Sequence, residues 1–157
     1  MKSAPNLVLV GPMGAGTSSI GKRIAGRFGL AFVDADREIE TRTGASVTTI
    51  FECEGEAGFR AREAATIADL LLGEGRVIAT GGGAVLDADN RRRMRERGFV
   101  VHLHVSLSRQ LERLARDAAA TDSIVILTDA DGWILDAEGS TGFLDKAGRV
   151  ALMPGVC

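Results

Sequence analysis

Residues 11–19 read GPMGAGTSS, between the apolar run LVLV at 7–10 and a stretch of helical character at 18–28. Strand, glycine-rich turn and helix in that order make a cradle for a nucleotide phosphate. Gly11, Gly14 and Gly16 permit positive φ and close approach, successive backbone N–H groups turn inward, and the helix beginning near Thr17 adds its dipole. Gly11, Gly14, Ala15, Gly16, Thr17, Ser18 and Ser19 are therefore the candidate nucleotide-binding residues. Ser18 is placed to offer its hydroxyl to Mg²⁺. The phosphate-loop pattern G-x-x-x-x-G-K-[ST] asks for lysine where this chain has Thr17. Threonine can donate one neutral hydrogen bond, but it cannot reach the β- and γ-phosphates or neutralise their charge. Lys22 does not replace it, because five residues along a helix is about 140° of rotation and roughly 7.5 Å of rise. The competing reading is a glycine-rich strand-to-helix turn with no ligand.

Outward from this stretch, strands alternate with helices. AFVD at 31–34 reads as a second strand, and a helix at 37–42 should stop near Gly44. FRAREAATIADLLLG carries Phe59, Ala64, Ile67, Leu70 and Leu71 at close to helical period and ends at Gly73. VIAT at 77–80 is a third strand, Asp87 can cap the helix ADNRRRMRER, and VVHLHV at 100–105 is a fourth strand. Ser106 can cap a further helix through Arg116. Strands separated by helices imply parallel pairing in a three-layer α/β domain.

The bulk properties exclude several functions. The chain has 157 residues, 45% of them hydrophobic and 25% charged, which suits one soluble domain with its own core. Its net charge of -2 gives no general attraction to nucleic acid or anionic membrane, so neither is an expected partner. The apolar runs are too short to span a bilayer and no signal-peptide core is visible, so a cytoplasmic monomer is expected. Cys53 and Cys157 read as reduced thiols. RRRMRERG reads as a solvated helix face, and His102 with His104 lacks a third ligand nearby.

LVGPMGAGTSSIGKRIA, FVDADREIE, FECEGEAGFRARE, ATGGGAVL and VVHLHVSLSRQLERLARD occur in this order. Together they resemble shikimate kinase, a P-loop kinase of the nucleoside monophosphate kinase type, over about residues 6–117. The resemblance implies a parallel sheet of order 2-3-1-4-5 with helices on both faces. It implies ATP and Mg²⁺ as cofactors and phosphorylation of the 3-hydroxyl of shikimate, a step toward aromatic amino acids.

The resemblance also implies roles for the remaining polar residues. Asp34 would help hold Mg²⁺ with Ser18, and Asp36 would accept a substrate hydroxyl and act in catalysis. Arg60 would share in catalysis and meet the shikimate carboxylate, with Glu63 steadying it. Gly81, Gly82 and Gly83 would let backbone approach the substrate closely. Each has a plainer reading beside it: a helix cap with a solvated neighbour for the two aspartates, an i,i+3 surface ion pair for Arg60 and Glu63, a tight turn for the glycines.

After Asp117 the family continues with an arginine-bearing lid of the type RNRPLL, and here the chain reads AAATDS. Residues 118–157 form a divergent tail in which two apolar runs flank an Asp-Gly turn signal, resembling the opening of a PAS or GAF domain. Residues 124–127 could supply a fifth parallel strand, or belong to an independent hairpin. With Thr17 and without the lid arginines, three functions stay open. They are a weak or inactive shikimate kinase, a nucleotide- and shikimate-binding regulatory module without turnover, and a truncated, recombined chain with no evolved function.

Overall fold

The computed structural model describes residues 5–120, 124–128 and 134–139. The chain divides into two units, Met1–His104 and Val105–Cys157. In the first, β1 (Asn6–Val10), β2 (Ala31–Asp34), β3 (Arg76–Ala79) and β4 (Gly98–His102) form a parallel sheet of order β2-β3-β1-β4. The helices are α1 (Thr17–Phe28), α2 (Ala35–Thr43), α3 (Val47–Leu72) and α4 (Ala88–Arg97), with a 3₁₀ turn at Gly82–Val85.

Alternation along the strands distributes the core between two faces. Leu7, Leu9, Phe32, Val77 and Val101 pack with Ile20, Ile24 and Ala25 of α1. Val8, Val10, Val33, Ile78 and Val100 pack with Ala35, Ile67, Leu70, Leu71 and Met94 from α2, α3 and α4. The expected three layers follow directly from this period of two. Leu9 and Ile67 are almost wholly buried, each worth about 1.5–3 kcal/mol of transfer free energy. Asn6, also buried, donates from Nδ2 to Gly73 O (2.6 Å) and accepts from Arg76 N (3.1 Å), fixing the chain where β3 begins.

Most helix limits agree with the sequence reading. Gly29 and Gly44 end α1 and α2 at φ 64° and 69°, a left-handed cap that only glycine adopts cheaply. Asp87 caps α4 by accepting from Asn90 N at 2.7 Å. The long helix differs. It starts at Val47, capped by the Ser46 hydroxyl, and is broken at Gly55 (φ 68°, ψ −175°). Its first segment carries Thr48 and Thr49, poor helix formers, and is held by Ile50 packing with Ile39 and Phe59. β4 lies two residues earlier than 100–105 suggests, because its ladder follows β1 from Asn6↔Gly98 to Val10↔His102. His102 and His104 are exposed, as are all residues of 91–97 except Met94.

The second unit contains α5 (Leu107–Ala120), β5 (Ile124–Thr128) and β6 (Ile134–Gly139). β5 is not a fifth parallel strand of the first sheet. It pairs antiparallel with β6, from Ile124↔Gly139 to Thr128↔Ile134. A short local closure costs less chain entropy than a distant parallel pairing, and the Asp-Gly signal favours the hairpin. α5 lies against both strands and belongs with them to the second compact unit. Residues 129–133, with the Asp-Gly signal, and residues 140–157, with Arg149 and Cys157, lie outside the described residues. Among the described residues no helix is long and apolar enough to cross a membrane.

Candidate active site

The carboxyl ends of β1, β2 and β3 deliver three loops to one edge of the sheet, where ligands of open α/β folds collect. The first is the glycine-rich loop. Gly14 (φ 78°) and Gly16 (φ 87°) take the left-handed conformation, and Gly16 caps α1. At Gly11 only the close approach is realised. Its φ is not positive, but a Cβ there would stand 2.8 Å from Leu103 O. Ala15 is buried and donates its N–H to Pro12 O (3.0 Å), so it shapes the loop from within. Thr17 opens α1, whose first N–H groups have no acceptor within the helix. Ser19 is exposed, and Lys22 lies over the Phe32 ring at 5.9 Å from its centroid.

Ser18 Oγ donates to Asp34 Oδ2 at 2.5 Å. The other oxygen of Asp34 caps α2, accepting from Asp36 N (3.2 Å) and Arg37 N (3.4 Å). The helix-cap reading of Asp34 is thus true of one oxygen, while the second faces the hydroxyl. This pair suits a hard cation. Magnesium favours oxygen donors, and one carboxylate plus a hydroxyl is a usual protein share when phosphate and water complete the shell. Among the described residues no three His, Cys, Asp or Glu side chains could hold a metal by themselves.

Asp36 is not a solvated neighbour. Its carboxyl is pushed up from 3.8 to about 6, by burial first and then by Asp34, Glu63 and Glu40, with Arg60 pulling the other way. Its Oδ1 is buried and has no hydrogen-bond partner among the described residues, and the same holds for Oε1 of the fully buried Glu63. Both oxygens lie 3.3 Å from where a Cβ on Gly81 would stand, so any side chain there would press on two carboxylates.

Arg60 and Glu63 make an ion pair (Nη1–Oε2 2.8 Å), but not the surface pair of the plainer reading, since Glu63 is buried. Glu56 Oε1 takes Nε and Nη2 of Arg60 at 3.3 Å each, and the guanidinium lies over the Phe59 ring. Gly83 gives the guanidinium its room, for a Cβ there would overlap Nη1, Nη2 and Cζ. Since Gly83 has no positive φ, Gly83→Ala is expected to keep the fold while displacing Arg60. Affinity for shikimate, the ligand the resemblance implies, should drop about tenfold or more by calorimetry, and the unfolding midpoint should fall as well, since displacing Arg60 leaves the buried Glu63 carboxylate without its partner.

Gly11, Gly14, Thr17, Ser18, Asp34, Asp36, Gly81, Gly82 and Gly83 line one cleft of about 520 Å³. Ala15, Gly16, Ser19, Arg60 and Glu63 stand off its wall. The wall also includes Pro12, Met13, Thr80 and Leu86, which the sequence did not single out. Thr80 donates from N and Oγ1 to Leu9 O (3.1 and 3.2 Å), tying the third loop to β1. Its place just ahead of three glycines was the available signal.

Comparison with known proteins gives the family. Residues 13–123 match the family model described as shikimate kinase. The chain belongs to the shikimate kinase family. A shikimate kinase of Xanthomonas campestris pv. campestris (strain 8004) is 59% identical over 117 residues, 74% of this chain and 65% of the relative. One from Stenotrophomonas maltophilia (strain R551-3) is 58% identical over the same shares. A solved structure, shikimate kinase from Acinetobacter baumannii in complex with shikimate, is 47% identical with a TM-score of 0.71, covering 73% of this chain and 64% of that one. The chain thus spans just under two thirds of the shikimate kinases it resembles.

Proposed function

We propose that this chain binds Mg-nucleotide in the glycine-rich loop and shikimate beside Asp36, Arg60 and the 81–83 turn. Transfer of a phosphoryl group to the 3-hydroxyl is slow or absent because Thr17 leaves the loop without its cation. The observation that carries this reading is the buried, unpartnered Oδ1 of Asp36 at the wall of a cleft shared with the phosphate loop. An unmet buried acceptor costs about 1–3 kcal/mol, and Asp36 lines the cleft where a substrate hydroxyl would sit.

Asp36 then accepts the hydroxyl proton, and a carboxyl held near 6 is both ionised at neutral pH and basic enough to take it. Arg60, oriented by Glu63 and Glu56, presents its remaining N–H groups to the substrate carboxylate. Backbone N–H groups at the start of α1 hold the phosphates. Ser18 and Asp34 would hold magnesium, which supplies charge neutralisation on the transferring group.

Thr17 favours a second reading, a binding or regulatory module without turnover, in which the β5–β6 hairpin opens a segment of PAS or GAF type. In the third, the chain is recombined, without evolved function. Calorimetry with MgADP and shikimate, separately and together, along with a coupled kinase assay, distinguishes all three. Measurable but weakened binding of both ligands is expected. Turnover should be about 10²- to 10³-fold below an intact site for the missing charge alone. A rate of about 10 s⁻¹, ordinary for an enzyme, would overturn the proposal of slow transfer. Absence of any ligand binding would favour the recombined chain.

A further inference from the structure

We infer that Arg91 is a positioning residue for the cleft: from α4 it holds the 81–86 segment in the shape that presents residues 81–83 to shikimate. The inference rests on the reading that shikimate binds beside Asp36, Arg60 and that turn. Arg91 opens the run RRRMRERG, which reads as a solvated face, and the residue is indeed exposed. Its guanidinium nevertheless has partners in the loop. Gly81 O and Gly83 O accept from Ala84 N (3.2 Å) and Leu86 N (3.0 Å) within the 3₁₀ turn. The carbonyls of the three residues that close the segment are met from α4 instead. Asn90 Nδ2 donates to Ala84 O (3.2 Å), and Arg91 Nη1 donates to both Val85 O (2.6 Å) and Leu86 O (2.8 Å). Carbonyls at the end of a helical turn need such donors, and a guanidinium supplies them with charge.

The position of this segment matters because its glycines leave no slack. A Cβ at Gly81 would stand 3.3 Å from oxygens of Asp36 and Glu63, one at Gly82 would stand 3.3 Å from Gly11 O, and one at Gly83 would overlap the Arg60 guanidinium. The backbone here thus fits closely against the two side chains assigned to the substrate, Asp36 and Arg60. Thr80 ties the near end to Leu9 O, and Asn90 with Arg91 ties the far end. Asn90 is 1% exposed, so replacing it would disturb the packed interior, whereas Arg91 can be changed at the surface. Leu86, whose carbonyl Arg91 holds, lines the cleft itself. The phosphate loop has its own restraints in the Gly16 cap and the Ser18–Asp34 bond, so loosening of the 81–86 segment should be felt at shikimate rather than at nucleotide.

The test compares Arg91→Met, Arg91→Lys and Arg95→Met in the full chain, by calorimetry with shikimate and with MgADP and by amide hydrogen exchange. Arg91→Met keeps an apolar stem and removes the donors. Arg95→Met makes the same change of charge on the same helix, at an exposed residue outside the carbonyl contacts. Arg91→Met is expected to bind shikimate about three- to tenfold more weakly, the scale of the hydrogen bonds lost, with MgADP affinity unchanged. Exchange of the Ala84 and Leu86 N–H groups should quicken. Arg91→Lys keeps charge and donors and should recover most of the affinity, and Arg95→Met should bind shikimate as the native chain does. Equal losses of shikimate and MgADP affinity in Arg91→Met would mark general loosening and overturn the inference. Equal shikimate losses in Arg91→Met and Arg95→Met, a charge effect on an anionic ligand, would overturn it too, and so would unchanged exchange. If the native chain binds shikimate and Arg91→Met binds it equally well, the inference falls and the shikimate reading stands. If the native chain binds none, both fall.

Discussion

Thr17→Lys is expected to tighten MgADP binding and to raise phosphoryl transfer to shikimate by about 10²- to 10³-fold, the scale of one preorganised charged or donor contact at a transition state. The rest of the loop is already built. Gly14 and Gly16 hold their left-handed conformations, Gly16 caps α1, and Ser18 is engaged with Asp34. The new side chain would leave the first turn of α1 into the cleft that Thr17 already lines. Lysine is also the better helix former by a few tenths of a kcal/mol, so the fold should not suffer. The gain should come in order, nucleotide affinity before rate, because the lysine restores only one of two missing parts. On the proposed reading the second part is the family's arginine-bearing lid, AAATDS standing where its arginines are expected, and a site without closure would keep water near the transferring group. Calorimetry and a coupled assay check the two effects separately. Full activity from the single substitution would show that charge from elsewhere replaces the lid. No change in either quantity would mean that the loop is not a phosphate cradle.

How far the sequence revealed this site depends on what each residue does. Phosphate-loop spacing is a local property, so Gly14, Gly16 and Ser18 could be read directly, and β1, α1 and the capping glycines with them. Apolar runs marked the strands, but which residues serve each face of the sheet was shown only by the packing. Of the two properties expected of Gly11, positive φ is not adopted and close approach is, its neighbour being Leu103, far away in the chain. The resemblance implied that Asp36, Arg60 and Glu63 act together. Spacing alone allowed a surface ion pair, and could not show that Glu63 is buried or that Asp36 and Glu63 meet at Gly81. The helical segment before Gly55 was missed because its stability lies in packing with Ile39 and Phe59 rather than in propensity. The hairpin outcome for residues 124–127 was one of two readings left open, since a short apolar run fits either pairing.

Asp36→Asn is expected to lower transfer, measured in the Thr17→Lys background where it is detectable, by about 10²- to 10⁴-fold, the usual worth of a general base. The same substitution should stabilise the apo protein in metal-free buffer at neutral pH. The sign follows from linkage. The folded state holds the Asp36 carboxyl at about 6 against 3.8 for an unperturbed aspartate. Between those values the unfolded chain has lost its proton and the native chain keeps it, so native stability falls as pH rises through this window. Below about pH 3.8 both states are protonated and the penalty is absent; above about 6 it is fully present. Asparagine does not titrate and escapes it. The amide can also keep an acceptor oxygen while offering a donor beside the unpartnered Oε1 of Glu63 at Gly81. Unfolding midpoints of the two proteins should therefore lie close together near pH 4, separate as pH approaches 6, and run parallel above it with the asparagine variant higher. Parallel curves over the whole range would show that Asp36 is not held protonated by its burial, and would remove the basis for assigning it a raised basicity in the transfer step.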